Sequence, residues 1–234
     1  MATQLDLQEQ EQLDALKAFW NRYGNPITWL LVLVLGGFAA WNGWQWYERD
    51  RGAKAGALFD ELERAAQAAD ADRTARIFGD LRERHPASAF AQQGGLLTAK
   101  IQFEKGQLDA AKASLQWVAE KGAEEELRTI ARLRLSGVQL EARQFDEALK
   151  TLDGARAAGF EALVSDRRGD VLMAQGKPAE ARAAWQGAWA ALEDRQFYKR
   201  IVEAKLTSIG AAPAPAPAAS APAAPSASAA GATK

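Results

Sequence analysis

The chain has 234 residues, of which 29 are basic and 30 acidic, and none is cysteine. The absence of cysteine excludes disulfides, thiolate metal sites and cysteine nucleophiles. The net charge of −1 offers no basic excess to a phosphate backbone, so we expect no nucleic-acid partner.

Residues 1–25 are predicted to form a short amphipathic arm. Leucine and aromatic side chains recur near helical spacing and are opposed by acidic residues. Gly24 offers a break before the next segment. Two interpretations of the arm stay open: a short helix that contacts a membrane partner, or a frayed helix at the membrane interface. The apolar residues are Leu5, Leu13, Leu16, Phe19 and Trp20.

Residues 26–47 are predicted to be a transmembrane helix. Between Arg22 and Glu48 lie 25 residues without a charge, and about 20 apolar residues are enough to cross a bilayer core. Asn25 could cap this helix and Pro26 suits its first turn. Tryptophan and tyrosine lie near both ends, as in an interfacial aromatic belt. A charge-free buried core helix of this length is uncommon. A cleaved signal peptide would need an unusually long, acidic leading region.

The charges that flank this span do not settle its orientation. Basic residues on the C-terminal side mildly favour that side inside the cell. Acidic residues are mixed into both flanks, and long domains translocate regardless of charge, so the topology stays open at this level. The basic residues are Lys17 and Arg22 before the span, and Arg49, Arg51, Lys54 and Arg64 after it.

Residues 48–209 are predicted to form a tetratricopeptide-like α-solenoid, so the fold class is all-α. Three segments align on small residues spaced 37 and 33 residues apart, and tetratricopeptide repeats have a period of about 34. Small residues let two antiparallel helices approach closely. The aligned residues are Ala111, Ala148 and Ala181, with Ala75 in a fainter upstream unit.

Each repeat also shows a small residue in its first helix and a turn between its two helices. Gly106 and Gly176 lie in two of these turns, and Arg143 takes the corresponding place in a third. His85 and Pro86 end the first unit, and a final helix is expected over about residues 195–208. The small first-helix residues are Ala99, Ser136 and Gly169.

Residues 210–234 are almost entirely alanine, proline and serine. Prolines resist helix formation, and the segment has little to bury. We therefore predict a disordered, partly extended tail.

No motif in the chain points to catalysis. His85 is the only histidine, and it lies at a predicted helix end, where a C-terminal helix contact or simple exposure is the more natural interpretation. There is no phosphate-binding loop and no metal-ligand spacing. We expect a protein that is not an enzyme and that needs no cofactor or metal.

The chain resembles the ancillary SecYEG translocon subunit family of bacterial inner-membrane tetratricopeptide proteins. The resemblance covers most of residues 9–209 and is carried by residues 9–25, 43–47 and 132–189. Within the last of these, the join from Gly159 to Asp170 is more specific than the repeats themselves. The tail lies outside the resemblance.

Membership would imply a cytoplasmic N-terminus, one inner-membrane span and a periplasmic repeat domain, against the weak charge bias. The implied partners are the lipid bilayer, the SecYEG channel and a membrane-anchored periplasmic chaperone of the prolyl-isomerase type. The implied role is to help secreted and outer-membrane proteins leave the channel. The alternative is a structural scaffold of another cell-envelope complex, for division or wall synthesis, that binds no client.

Solenoid proteins bind partners on their concave face, and we predict that first-helix residues line such a groove here. For the apolar ones, ordinary core packing is the competing explanation. The predicted groove residues are Lys100, Phe103, Glu104, Leu133, Leu140, Glu141, Asp166, Asp170 and Met173.

Overall fold

The computed structural model describes residues 7–192 and 196–211, and the described residues form nine α-helices and no strand. They divide into two compact units, Met1–Asp60 and Glu61–Lys234. The predicted all-α class is confirmed, whereas most of the predicted tail, from residue 212 on, lies outside the described residues. The helices are α1 Leu7–Gln67, α2 Ala71–Arg84, α3 Ala89–Glu104, α4 Leu108–Lys121, α5 Glu125–Glu141, α6 Phe145–Asp153, α7 Glu161–Ala174, α8 Pro178–Ala191 and α9 Gln196–Ser208.

In the first unit, α1 continues through Gly24, Asn25 and Pro26. The predicted break at Gly24 and the predicted cap at Asn25 are therefore wrong. A proline inside a helix removes one backbone donor and crowds the preceding turn. Here the Thr28 hydroxyl donates to the Gly24 carbonyl at 2.7 Å, and the Trp20 indole packs on Gly24, where a Cβ would lie 3.2 Å from the ring. These contacts lie on either side of Pro26, through which the helix continues.

Helix α1 is the one helix in the described part of the chain that is long and apolar enough to cross a membrane. Its apolar side chains are solvent-exposed along the whole span, with Leu33 at 71% and Trp46 at 70%. A helix of a soluble domain would bury such a surface against its own core. The exposed apolar surface is what a lipid-facing helix presents.

In the second unit, four turns between successive helices share one geometry. One residue in each turn has a positive φ, between 51° and 81°. The N–H of the next residue donates to a carbonyl five positions earlier, as from Gln107 to Gln102 at 2.8 Å and from Lys177 to Leu172 at 2.9 Å. This is the hydrogen bond of a Schellman helix end. The four positive-φ residues are Ala69, Gly106, Arg143 and Gly176.

We call these four the turn residues, and the helices before and after each turn the A and B helices. Five positions after each turn residue comes a small, fully buried residue, and these residues are Thr74, Ala111, Ala148 and Ala181. The first member corrects the sequence alignment, because Thr74 takes the place predicted for Ala75, which is only half-buried. Threonine is tolerated because its hydroxyl donates to the Ala71 carbonyl at 2.9 Å.

The small A-helix residues lie where the helices cross. Ala99 and Ser136 are buried in α3 and α5. In α7 the approach is closest, because an ideal Cβ on Gly169 would lie 2.4 Å from the Trp185 ring of α8. The predicted role of the small residues at the crossings is thus confirmed.

Helix α9 closes the described part of the solenoid and matches the predicted final helix. Val202 and Leu206 are fully buried in the cluster formed with Ala188 and Trp185. The helix ends in the same type of turn as the A helices: Gly210 has a φ of +70°, and the Ala211 N–H donates to the Leu206 carbonyl at 2.9 Å.

Candidate functional site

The shared turn places equivalent A-helix residues on the same side of the solenoid. Counted back from the turn residue, the third position carries a partly exposed apolar side chain in three successive A helices. We call this the apolar row: Phe103, Leu140 and Met173. The ninth position carries arginine in two of the three, and the sixth carries residues of different size. These positions are Leu97, Arg134 and Arg167 at the ninth, and Lys100, Gly137 and Asp170 at the sixth.

Six of these nine residues, all but Leu97, Asp170 and Met173, line a cleft of about 520 Å³ between α3 and α5. Its floor is apolar, formed by Ala99, Leu115 and Val138, all buried in the central core cluster. Its volume lies within the range of about 300–1,000 Å³ that is typical of ligand pockets. The remaining lining residues are Lys100, Phe103, Arg134, Gly137, Leu140, Glu141 and Arg167.

The charge of the cleft is mainly positive. Within the described residues, no carboxylate lies in ion-pair contact with Arg134, whose guanidinium only donates to the Leu96 carbonyl at 3.4 Å. Arg167 lies 3.9 Å from Asp170, and Lys100 lies 3.8 Å from Glu104. Both distances are long for a charged hydrogen bond, so these cations keep much of their capacity to bind an anion.

Gly137 creates part of the space. An ideal Cβ at this position would lie 3.6 Å from the Arg167 Nη1 atom, in ordinary contact. The equivalent residues of the neighbouring A helices are Lys100 and Asp170, so only α5 leaves this position without a side chain. The glycine therefore lets the Arg167 guanidinium lie over the backbone of α5.

The structure distributes the nine predicted groove residues among three surroundings. Lys100, Phe103, Leu140 and Glu141 line the cleft. Glu104 pairs with Lys100 beside it. The other four lie elsewhere: Leu133 packs on the core cluster of α6 and α7, Met173 is exposed in the apolar row, and Asp166 and Asp170 join a cluster with α9.

Sequence reasoning missed Arg134, Gly137 and Arg167. The prediction chose Leu133 and Asp166, which lie ten positions before the turn residue, instead of their neighbours at nine. One residue rotates the side chain by about 100° around a helix, which moves it from the core to the cleft. The turn residues were the available signal, since counting back from them fixes each face.

Asp166 and Asp170 hold α9 to α7 through Lys205. The Lys205 ammonium lies 2.8 Å from Asp166 and 2.6 Å from Asp170. The Tyr198 hydroxyl donates to Asp166 at 2.7 Å. Burial raises the pKa of Tyr198, and its hydrogen bond to the Asp166 carboxylate raises it further. Because Asp166 is buried and its oxygens accept from Lys205 and Tyr198, this cluster fastens the last described helix to α7.

Within the described residues, no group of three or more His, Asp or Glu side chains is placed to hold a metal ion. The cleft itself combines an apolar floor, two side chains of the apolar row, three cations and the carboxylate of Glu141. Such a surface can bind a ligand through apolar contacts and through ion pairs.

Taken together, an exposed apolar helix and paired helices with a shared turn define a membrane-anchored protein of the tetratricopeptide type. The family model for a tetratricopeptide repeat-like domain matches residues 17–211. The Ancillary SecYEG translocon subunit of Haemophilus influenzae is 30% identical over 182 residues, which are 78% of this chain and 89% of the relative. The chain therefore belongs to the tetratricopeptide repeat-like family of ancillary SecYEG translocon subunits.

Further relatives agree with that assignment, and a solved structure shares the fold. The protein of the same name from Neisseria gonorrhoeae is 28% identical over 204 residues, with 87% of this chain and 98% of the relative covered. The one from Escherichia coli is 29% identical over 181 residues, with 76% and 85% covered. The solved structure of the MamA RS-1 ArsTM double mutant superposes with a TM-score of 0.50 at 15% identity, over 68% of this chain and 86% of that one. At this identity the likeness concerns the fold alone.

Proposed function

We propose that this protein is a membrane-anchored, non-catalytic adaptor of the SecYEG translocon. In this proposal it also binds a membrane-anchored periplasmic chaperone of the prolyl-isomerase type and assists secreted and outer-membrane proteins that leave the channel. The observation that carries the proposal is the 30% identity to an ancillary SecYEG translocon subunit over 89% of that relative's length.

The two units suit different tasks in this proposal. The apolar part of α1 offers an exposed surface and small residues such as Gly36 and Gly37, which let a neighbouring transmembrane helix approach. The repeat domain offers the cleft, and an anchored domain acts at a high effective concentration beside its channel. We assign channel contact to residues 1–47 and chaperone or client contact to residues 48–209.

The anchor is tested by crosslinking in intact cells. One variant replaces Met1 to Tyr47 with an unrelated transmembrane helix of the same orientation, and we expect it to lose its crosslinks to SecYEG. A matched control, in which Ala211 to Lys234 is deleted, should crosslink like the parent because that tail has little to bury. Equal crosslinking by the swapped protein would contradict the assigned role of the anchor. Crosslinks to a wall-synthesis or division complex in its place would favour the scaffold alternative.

The repeat domain is tested by truncation after Lys54. The truncated protein should keep the channel crosslinks and lose the periplasmic chaperone. If it still captures the chaperone, the contact lies in the anchor or arm.

Orientation has its own test, since the chain has no cysteine. We propose that residues 1–25 are cytoplasmic and residues 48–234 periplasmic. Single cysteines at Thr3 and Ser228 can be labelled with membrane-impermeant reagents. Ser228 should react from the periplasmic side and Thr3 only after the inner membrane is opened. The reverse pattern would refute the proposed topology and agree with the flanking charges.

A further inference from the structure

We propose that the cleft binds an extended segment of a partner polypeptide in which apolar and acidic side chains alternate. This inference rests on the proposed adaptor function and names the chemistry of the segment that the repeat domain recognises. It follows from the spacing and the charge of the side chains that line the cleft.

The cleft carries two kinds of side chain at two levels along its helices. Phe103 and Leu140 belong to the apolar row, three positions before the turn residues. Arg134 and Arg167 lie nine positions before them. Six residues of helix separate the backbones of the two levels by about 9 Å, and the Arg167 side chain reaches from α7 to Gly137, between them. A ligand that lies across α3 and α5 therefore meets Phe103 and Leu140 on one side, and on the other Arg134 with the tip of Arg167.

An extended chain matches this division. Its successive side chains point to opposite sides, and it advances by about 3.3 Å per residue. If it lies across the A helices, its alternate residues face the apolar row and the intervening ones face the arginines. A helical ligand would instead group its apolar residues three and four positions apart.

Acidic side chains suit the second side because its cations are weakly occupied. Arg134 has no ion pair within the described residues and only a 3.4 Å hydrogen bond to a carbonyl, while Arg167 lies 3.9 Å from an Asp170 that Lys205 already binds at 2.6 Å. Guanidinium groups recognise carboxylates through paired hydrogen bonds. The apolar row continues past the cleft to the exposed Met173, so the bound segment continues beyond the cleft and its C-terminus does not lie there. The carboxylates therefore come from aspartate or glutamate side chains inside the segment.

The test measures binding of fluorescein-labelled synthetic peptides to the full-length protein in detergent micelles, by fluorescence anisotropy. The probe alternates leucine and aspartate over eight residues and ends in an amide. One control peptide has lysine in place of aspartate. A second keeps the composition but spaces its leucines three and four apart. A third joins the lysine-containing peptide to a free C-terminal carboxylate. We expect the probe to bind at least about tenfold more tightly than each control, which corresponds to 1.4 kcal/mol.

Variants then locate the binding. Arg134→Gln combined with Arg167→Gln should weaken the probe about tenfold, and Gly137→Leu should weaken it similarly by filling the cleft. Gly137→Ala is the matched control, since its Cβ meets only the flexible Arg167 side chain at 3.6 Å. Arg76→Gln combined with Arg182→Gln removes the same charge from exposed positions outside the cleft and should bind like the parent. Circular dichroism of each variant establishes that it is folded.

Several results would overturn the inference. Equal binding of the helix-patterned peptide would refute the extended conformation, and preference for the free-carboxylate peptide would refute the internal source of the carboxylate. Equal loss in the two double-arginine variants would show only a general charge effect. Peptide binding tests this inference, whereas crosslinking to SecYEG tests the adaptor proposal, so the two can fail separately. A protein that crosslinks to the channel yet ignores the probe would refute this inference alone.

Discussion

The central and C-terminal parts of the solenoid solve the same crossing with different residues. In α3 and α5 the small crossing residues are Ala99 and Ser136, and B-helix leucines such as Leu115 fill the space. In α7 the crossing residue is Gly169, and the much larger Trp185 fills the space. The A-helix side chain and the B-helix side chain at each crossing together fill one gap at close-packed density. A small residue with a leucine and a glycine with a tryptophan are therefore both compatible with the crossing.

The two parts also differ in how their neighbours are held. The centre is held by uncharged groups: an apolar cluster and buried polar side chains such as Ser114, whose hydroxyl donates to Gln102 at 2.8 Å. At the C-terminal end, buried Asp166 binds Lys205 and Tyr198 of α9. Among the described residues, α9 packs on the helices that precede it, and the ion pair between Lys205 and buried Asp166 fixes its position against α7. The comparison therefore predicts that substitutions that change side-chain volume have the largest effect on stability in the centre, and that removal of a charge has a large effect at the C-terminal end.

The largest effect is expected in the centre. Ala148→Trp introduces an indole where Ala148 is fully buried, and overpacking of this kind should cost about 3 kcal/mol, at the upper end of the usual range. Urea unfolding of the full-length protein in detergent, followed by circular dichroism, measures the loss. An unchanged midpoint would mean that the repeat register is misplaced.

At the C-terminal end, removal of one charge should be nearly as costly. Lys205→Met leaves the buried Asp166 without its cation. Loss of a fully buried partner costs about 3–5 kcal/mol, and since the Lys205 side chain is 25% exposed we expect about 2 kcal/mol. Lys121→Met, at an exposed central position, should change the free energy of unfolding by less than about 0.5 kcal/mol. If the two substitutions lower the free energy of unfolding by similar amounts, the proposed difference between the centre and the C-terminal end is wrong.

A double-mutant cycle tests whether the crossing depends on summed volume. Gly169→Ala should clash with the Trp185 ring, and Trp185→Leu should leave a cavity. The double variant reproduces the alanine and leucine found at the central crossing. It should be more stable than the sum of the single changes by about 1–2 kcal/mol. Strict additivity would show that the two crossings are not equivalent.

The smallest effect concerns the turns. Arg143 adopts a φ of 59° where Gly106 and Gly176 take the equivalent place, and the left-handed region is unfavourable for a residue with a Cβ. Arg143→Gly should therefore raise the free energy of unfolding by about 0.5–1 kcal/mol. The opposite exchange, Gly106→Arg, should lower it by a similar amount. If Arg143→Gly destabilises, the Arg143 side chain contributes contacts that outweigh the strain.

Much of the fold was predictable because it follows from local patterns. The repeat spacing located Ala111, Ala148 and Ala181, and each is fully buried. The candidate site was predictable only in part. Of the predicted groove residues, Phe103 and Leu140, which lie three positions before a turn residue, line the cleft. Leu133 faces the core because it lies one residue away from the exposed Arg134.

The sequence by itself determined the apolar span, the repeat period and three of the four turns, those at Gly106, Arg143 and Gly176. Charge-free length and small-residue spacing are patterns that can be read along the chain without knowing how the helices pack. Tertiary structure decided that Thr74 and not Ala75 is buried and that Arg134 and Arg167 line one cleft, with the Arg167 guanidinium beside Gly137. It also decided that Asp166 binds α9. These contacts join residues that are distant in the chain, so they depend on how the helices pack and no local pattern specifies them.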